Sequence, residues 1–231
     1  MTDPAGAIDD LRRCPLFAHV EPDGLRTLSG VMRPRRFRRN EVVFHQGDVG
    51  DSLHIVRTGG VKIVLPSLEG DEAIIARLTP GDFFGELALL DGAPRSTTAT
   101  ALERTETLTL PRDAFLRLLE EDPRLVRALL RALAVQLRRI TAQVEELHFL
   151  DLPGRLAIRL VRLARDADPA AQGRVELDWP FTQSELASMI GCTRQSVNKL
   201  LSDLVHQGLI SLDPDRVVIH DLASLEARGT V

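Results

Sequence analysis

Cysteine occurs only twice in the 231 residues, as Cys14 and Cys192. The two stand far apart and form no metal-ligand spacing, so an iron–sulfur or zinc site would lack its ligands. Both are expected to be buried free thiols. His19, His45, His54 and His148 are equally scattered and read as ordinary surface or half-buried imidazoles, so no metal is expected. No apolar run approaches the roughly 18 residues of a membrane span, and "MTDPAGAIDD" lacks the basic and greasy regions of a signal peptide. The expectation is a cytoplasmic protein with no membrane partner. Net positive charge is missing as well: the formal total is −4. That removes the simplest case for nucleic acid, a basic bulk attracting phosphate, and leaves any DNA binding to a local surface. Lysine stands only at 62 and 199, so nearly every basic side chain is an arginine. A Ser/His/Asp constellation, a P-loop and a metal cluster are all lacking, which speaks against an enzyme.

What remains is ordinary for a globular chain, with 44% hydrophobic and 27% charged residues. The length allows one large or two small domains. From Ile8 to Met32 the apolar residues fall at helix-like intervals broken by Pro15 and by Pro22-Asp23-Gly24, which predicts short helices. From Phe37 to Leu110 the chain turns into short β-rich runs punctuated by Gly, Pro and Asp ("EVVFHQGD", "SLHIVRTGG", "VKIVLP"). These predict a closed or double-sheet β architecture. From Pro123 to about Leu150 there is no Gly or Pro. Val126, Leu130, Leu133, Leu137, Ile140, Val144 and Leu147 follow one another at spacings of 4, 3, 4, 3, 4, 3. On a helix of about 40 Å such a seam suits a parallel homodimer, the alternative being a long helix lying on its own core. "DLPGR", Asp151 to Arg155, then reads as a Pro-Gly hinge between domains. The expected domains are therefore 1–122, 123–150 and 151–231.

The C-terminal part meets the constraints of two helices crossing through a short turn. In "FTQSELASMIGCTRQSVNKLLSDLVHQGLI", Ala187 is the small residue of the first helix, Gly191 the residue tolerant of positive φ, and Val197 the apolar contact of the second. Leu186, Ile190 and Leu200 complete the small core. Thr182 and Glu185 form a capping box, Thr193 can cap the second helix, and Gly208 can end it. "LISLDPDRVVIHD" predicts a hairpin around Asp213-Pro214-Asp215, a wing. Capped at Thr193, the second helix would expose Arg194, Gln195, Asn198 and Lys199. Arg and Lys can pair with guanine and Gln with adenine. Ser184 and Ser196 stand where phosphate contacts would set register, and Thr182 and Thr193 belong to the same DNA-binding set. A solvated helix face is the plainer alternative for Arg194 and Lys199.

"FGELALLDGAPRSTTATA", Phe84 to Ala101, poses a question of charge. An Arg-Ser pair, Arg95 and Ser96, can hold a phosphate, yet Glu86 beside it would repel that phosphate unless it reaches another part of the ligand. A ligand carrying both a hydroxyl and a phosphate satisfies both; an ion pair between Glu86 and Arg95 is the structural alternative.

This stretch resembles the phosphate-binding cassette of cyclic-nucleotide-binding domains. With the β-rich region, the seam, "FLDLPGR" and the helix-turn-helix, nearly the whole chain resembles the CRP/FNR superfamily of bacterial transcription regulators, in particular its cyclic-AMP receptor branch. The resemblance implies an α+β fold: an N-terminal β-roll (double-sheet jelly roll), a long coiled-coil dimerisation helix and a C-terminal winged helix-turn-helix. It further implies that Glu86 accepts the ribose 2′-hydroxyl and that Arg95 and Ser96 hold the cyclic phosphate. Gly85 would allow close backbone approach, and N–H groups around Leu87 and Ala88 would complete the anion nest. Cyclic AMP is the implied effector and double-stranded DNA the implied partner. A homodimer would present two recognition helices about 34 Å apart, and RNA polymerase would be a further partner.

Two departures stand out. Where cyclic-AMP receptors commonly hold adenine through a Thr and then a Ser or Asn, this chain has Ile140 and Thr141, so only Thr141 is left as a base contact. Arg194-Gln195 and Lys199 replace the Arg-Glu and Arg of well-known members, which implies an altered palindrome. A regulator that is ligand-independent or answers another signal is the first alternative, and a nucleotide-regulated adaptor or enzyme the second.

Overall fold

The computed structural model describes residues 4–67, 72–179 and 181–229. The ends of the expected ranges 1–122 and 151–231 lie outside them. Nine helices and eleven strands follow one another among the described residues. They begin with α1 (Pro4–Arg13), α2 (Pro22–Val31), β1 (Arg33–Phe37), β2 (Val42–Phe44), β3 (Ser52–Thr58), β4 (Val61–Pro66), β5 (Glu72–Leu78) and β6 (Phe83–Phe84). Next come α3 (Leu87–Asp91), β7 (Thr98–Ala101), β8 (Thr105–Pro111), α4 (Arg112–Glu121), α5 (Pro123–Phe149) and α6 (Leu152–Ala167). The chain closes with β9 (Val175–Asp178), α7 (Gln183–Ile190), α8 (Arg194–His206), β10 (Ile210–Asp213), β11 (Arg216–Ile219) and α9 (Leu222–Arg228). Contacts divide the chain into two compact units, Met1–Arg138 and Arg139–Val231, so α5 contributes to both.

The first unit is the expected double-sheet roll. Two four-stranded antiparallel sheets, in the orders β1-β8-β3-β6 and β2-β7-β4-β5, enclose a small core of Val56, Val61, Phe84 and Ala99. Side chains alternate across a strand. On β3, Leu53 and Ile55 point outward to α1, α2, α4 and α5, where they join Leu16, Phe17, Leu108, Phe115, Leu125 and Leu129. His54 and Val56 must then point into the roll. A strand covered on both faces explains why "SLHIV" reads as a nearly continuous apolar run with one polar residue inside it.

The second unit packs α6 to α9 and the three-stranded sheet β10-β11-β9 around Leu160, Leu186, Val197, Leu201 and Ile219. Its entrance differs from the expected Pro-Gly loop. Pro153 and Gly154 lie inside the first turn of α6, and Asp151 is its N-cap, accepting from the Gly154 N–H at 2.8 Å. Proline fits a first turn because its missing N–H would have had no intrahelical partner. The break in the backbone is therefore confined to Leu150 and Asp151.

Helix α5 buries Leu125 and Leu129. Of the seam, Val126 and Leu133 are half-buried, whereas Leu130, Leu137, Ile140, Val144 and Leu147 are exposed in the single chain.

Phe115 is fully buried where α4 meets the roll. Phe115→Ala is expected to destabilise the protein by about 3–5 kcal/mol through lost burial and a residual cavity, measured by urea denaturation.

Candidate functional site

The anion cassette forms because β6 ends at a glycine that no other residue could replace without strain. Gly85 has φ +85°, and a Cβ there would lie 2.5 Å from Arg95 Nη1. Glu86 follows as the N-cap of α3, with Leu87 and Ala88 in its first turn. The N–H groups of a first turn have no intrahelical acceptors. Arg95 returns to the same place: its Nη1 donates to Gly85 O at 2.6 Å and its Nη2 to Ser52 O at 2.8 Å. The guanidinium lies over the Phe44 ring, 4.2 Å from its centroid, and the nearest described carboxylate, the exposed Asp51, is 3.8 Å away. Gly85, Glu86, Leu87, Ala88 and Arg95 are thus one cluster. Ser96 is beside it and exposed, while Thr141 is an exposed residue of the C-terminal unit.

Charge in this cluster is poorly compensated. Arg95 is 4% exposed and its buried Nε has no hydrogen-bond partner. Burial holds its pKa below the ordinary arginine value, opposed by Asp51, Glu86 and Asp48. Glu86 is equally buried, and burial raises its carboxyl above the ordinary value against its own backbone N–H and the Arg95 charge. Among the described ion pairs none joins Glu86 to Arg95, so the structural alternative of a loop-spanning pair is not the arrangement seen. A buried guanidinium with an orphaned N–H, beside a glycine cradle and a separate carboxylate acceptor, fits a ligand that brings an anionic phosphate and a hydroxyl together.

His54 was missed in the sequence. Read as a surface or half-buried imidazole, it is 2% exposed, stacked on Phe84 at 5.0 Å and 22°, with Phe44 at 5.9 Å. Its Nε2 contacts Ser52 Oγ and its Nδ1 contacts Thr107 Oγ1, both at 3.3 Å. Burial, aided by the charges of Arg95 and Arg35, pushes its pKa down to about 3, so it stays neutral. The alternation of "SLHIV" carried the signal. His54 therefore packs against the strand end that leads into Gly85 and backs the serine whose carbonyl clamps Arg95.

The second candidate surface is the helix-turn-helix. Thr182 Oγ1 accepts from the Glu185 N–H at 3.1 Å, and the Thr182 N–H donates to Glu185 Oε2 at 2.8 Å, a complete capping box. Gly191 takes the left-handed conformation at φ +73°, and Thr193 Oγ1 accepts from the Ser196 N–H at 3.2 Å. Val197, Leu201 and Leu204 bury one face of α8. Arg194, Gln195 and Lys199 are exposed on the other, with Thr182, Ser184 and Thr193 exposed nearby. One residue departs from expectation. Asn198 is half-buried with its Oδ1 inside, because it directly follows the core residue Val197. Ser196 is half-buried and shares a hydrogen bond with the Thr193 hydroxyl at 2.9 Å. Cys14 is buried as expected, but Cys192, in the turn between the helices, is only half-buried.

Arg155 was also missed. It donates through Nη2 to Leu147 O at 2.9 Å and through Nε to Leu150 O at 3.1 Å, and its Nη1 is 3.5 Å from Ile190 O. One guanidinium thus satisfies carbonyls at the end of α5 that have no helical partner, and reaches toward the last carbonyl of α7. The basic residue just past a long helix, in "DLPGR", was the available signal.

Residues 34–122 match the cyclic nucleotide-binding domain, and residues 154–228 match the Crp-like helix-turn-helix domain. A chain that joins these two is a DNA-binding transcription regulator with an effector domain. The CRP-like cAMP-activated global transcriptional regulator of Mycobacterium tuberculosis is 35% identical to it over 219 residues, covering 95% of this chain and 98% of the relative. The cyclic AMP receptor protein of Thermus thermophilus is 32% identical, covering 94% and 97%. Among solved structures, a CRP/FNR-family transcriptional regulator from Thermus thermophilus superposes with a TM-score of 0.68 at 27% identity, covering 85% of this chain and 98% of that one. The chain belongs to the CRP/FNR superfamily of transcription regulators. Among the described residues no helix is long and apolar enough to cross a membrane, and no group of His, Cys, Asp and Glu could hold a metal ion.

Burying Glu86 has a cost that varies with pH. A carboxyl whose pKa is raised on folding keeps the folded state more protonated than the unfolded one, so stability falls as pH rises from about 4.5 through the raised value. Glu86→Gln, which carries no charge, is expected to raise Tm at pH 7 by a few degrees and to flatten this part of the stability–pH curve, measured by thermal denaturation from pH 4 to 8.

Proposed function

We propose that this regulator is a homodimer controlled by a cyclic nucleotide, with cyclic AMP the favoured effector, and that it binds palindromic promoter sites. The buried, incompletely paired guanidinium of Arg95 carries this reading. A cyclic phosphate would replace the Gly85 and Ser52 carbonyls as its acceptor, with Ser96 turning in to donate. Glu86 would accept a ribose hydroxyl, and Leu87 and Ala88 would offer their N–H groups. Thr141 is the remaining candidate for contact with the base. The choice of cyclic AMP draws on the names of the Mycobacterium and Thermus relatives.

The exposed α5 row Leu130, Leu137, Ile140, Val144 and Leu147, at heptad spacing, supports dimerisation. On α8, Arg194, Gln195 and Lys199 would read bases, Asn198 contributing only through an edge turned outward, while Thr182, Ser184, Thr193 and Ser196 would set register on phosphates. The functional ranges are 1–122 for the effector domain, 123–150 for the dimer helix and 151–231 for the reading head. Contact with RNA polymerase and a cytoplasmic location rest on family membership alone.

Ligand control requires that nucleotide bind the DNA-competent arrangement better than the other; DNA must then tighten nucleotide binding by the same factor. Isothermal calorimetry of the purified protein with cyclic AMP and cyclic GMP tests the reading directly. We expect saturable heat for the wild type and at least about 100-fold weaker binding for Arg95→Ala, with helix content by circular dichroism unchanged. Unchanged affinity in the variant overturns the pocket assignment, and no heat with either nucleotide in the wild type favours a regulator answering another signal.

The reading head has its own test. Arg194→Ala is expected to relax preference at one guanine of the half-site, costing about 1–3 kcal/mol there in selection of bound DNA from a randomised pool. A uniform loss over all sequences would assign Arg194 to a phosphate instead.

A further inference from the structure

Behind the anion cassette lies a chain of polar side chains whose direction follows from counting donors and acceptors. The Ser52 hydroxyl donates its single proton to Asp51 Oδ1 at 2.8 Å. It has none left for His54, so in their contact at 3.3 Å the hydrogen sits on His54 Nε2. The buried imidazole is neutral, so its Nδ1 accepts, and the donor is the Thr107 hydroxyl at 3.3 Å. Thr107 is fully buried, and among the described residues the His54 ring is the side-chain partner of its hydroxyl. The chain thus runs from β8 through β3 to Asp51, which stands 3.8 Å from Arg95.

The backbone shows what this chain holds in place. The Arg112 N–H donates to Asp51 O at 2.8 Å, so the Asp51 carbonyl faces β8 and the next one, of Ser52, faces the side of β6. β6 has only two residues, paired as Phe84 with His54 and Phe83 with Ile55. The ladder ends at Phe84, short of the Ser52 carbonyl, and Arg95 Nη2 takes that carbonyl at 2.8 Å while Nη1 takes Gly85 O at 2.6 Å. Ser52 stands two residues before His54, and Gly85 one after Phe84. The placing of both carbonyls therefore depends on one ladder pair, whose rings are stacked at 5.0 Å. Phe44 joins the two parts, with the His54 ring at 5.9 Å and the Arg95 guanidinium 4.2 Å from its centroid.

We propose that His54 is a positioning residue of the nucleotide site: as a single tautomer it passes a hydrogen bond from Thr107 to Ser52, and so keeps two carbonyls on the Arg95 guanidinium until a phosphate replaces them. It rests on Arg95 being the residue that receives the phosphate. Packing alone does not account for a histidine here. An apolar ring between Phe44 and Phe84 would bury as well and leave no polar atom to satisfy. What the imidazole adds is a fixed donor on one side and a fixed acceptor on the other, which sets how Ser52 turns. A guanidinium free to swing would have to be ordered when the anion arrives, and that ordering is subtracted from affinity.

The test is calorimetry of the full-length protein with cyclic AMP, comparing the wild type with His54→Phe, His54→Gln, Arg95→Lys and the double variant His54→Phe/Arg95→Lys. His54→Phe keeps the ring and loses the hydrogen bonds, and is expected to bind about tenfold more weakly. His54→Gln can donate to Ser52 and accept from Thr107, and should return to within about threefold of the wild type. In the Arg95→Lys background, which has no guanidinium fork to hold, His54→Phe should cost less than about twofold. Equal losses in the two backgrounds, equal losses in His54→Phe and His54→Gln, or wild-type or tighter binding by His54→Phe each overturn the proposal. No heat from the wild type overturns the reading of Arg95 and this proposal with it, whereas loss in Arg95→Ala with none in His54→Phe overturns this proposal alone. Nitrogen NMR of the ligand-free wild type at pH 7 gives a readout that needs no substitution. It should show His54 as the Nε2–H tautomer; the Nδ1–H tautomer or an imidazolium overturns the proposal even if His54→Phe fails to fold.

Discussion

A buried cation held by backbone carbonyls, with only an exposed counter-ion at a distance, is the constraint around which the N-terminal unit is arranged. Removing a guanidinium from water is costly unless its donors and its charge are both answered. At Arg95 the donors are partly answered by Gly85 O and Ser52 O, and the charge only in part, by the exposed Asp51 at 3.8 Å and by Glu86 and Asp48. The surrounding sequence follows from this. Gly85 must lack a Cβ because the guanidinium occupies that space, and Phe44 offers its ring face to the cation. His54 is kept neutral by its burial first and by the charge of Arg95 second. An anion entering here relieves a penalty already present, so its binding free energy includes the relief of strain in the protein as well as new contacts.

Helix α5 contributes to both units. Its N-terminal turns bury Leu125 and Leu129 in the core of the first unit. At its C-terminus Arg155 ties the carbonyls of Leu147 and Leu150 to the neighbourhood of Ile190 at the end of α7, and Leu147 Cδ2 lies within contact distance of where a Cβ on Gly191 would be. The backbone of α5 leaves helical geometry at Leu150 and Asp151, before α6 begins. Proline and glycine in "DLPGR" do not make a flexible loop; they start a new helix immediately, which keeps the joint short.

Features set by local chemistry were legible in the sequence, and those set by long-range packing were not. The capping box of Thr182 and Glu185, the left-handed Gly191, the cap at Thr193 and the hairpin turn after Asp213 each depend on neighbours within a few residues. The structure has all four. The double-sheet roll and the long helix were readable because periodicity reports which faces are covered. His54 escaped because its burial depends on Phe44 of the opposite sheet closing over the inner face of β3, which its own strand shows only as a histidine set in an apolar run. Arg155 escaped because its acceptors join two places in the chain, the end of α5 and the end of α7. Asn198 was assigned to the exposed face from the cap at Thr193, but it is half-buried with its Oδ1 inside. The cassette sits between these cases: its residue types were legible, whereas the inward clamp of Arg95 on Gly85 and Ser52 needed the fold.

The acidic total charge and the nucleic-acid partner are reconciled by the same distinction between bulk and local. Ions screen exposed charges beyond about 8–10 Å, so a phosphate approaching a surface responds to the side chains within that distance and not to the formal sum of −4. Acidic residues elsewhere are engaged in place: Asp122 by Arg124 and His19, Glu106 by two arginines, Asp221 by the N–H groups of Ala223 and Ser224. Pairing them locally leaves Arg194 and Lys199 unmasked on α8. A uniformly basic protein would hold any DNA strongly, and sequence would then be read as a small difference between large terms. A negative sum with a few exposed cations gathered on one helix lowers the non-specific term relative to a basic protein.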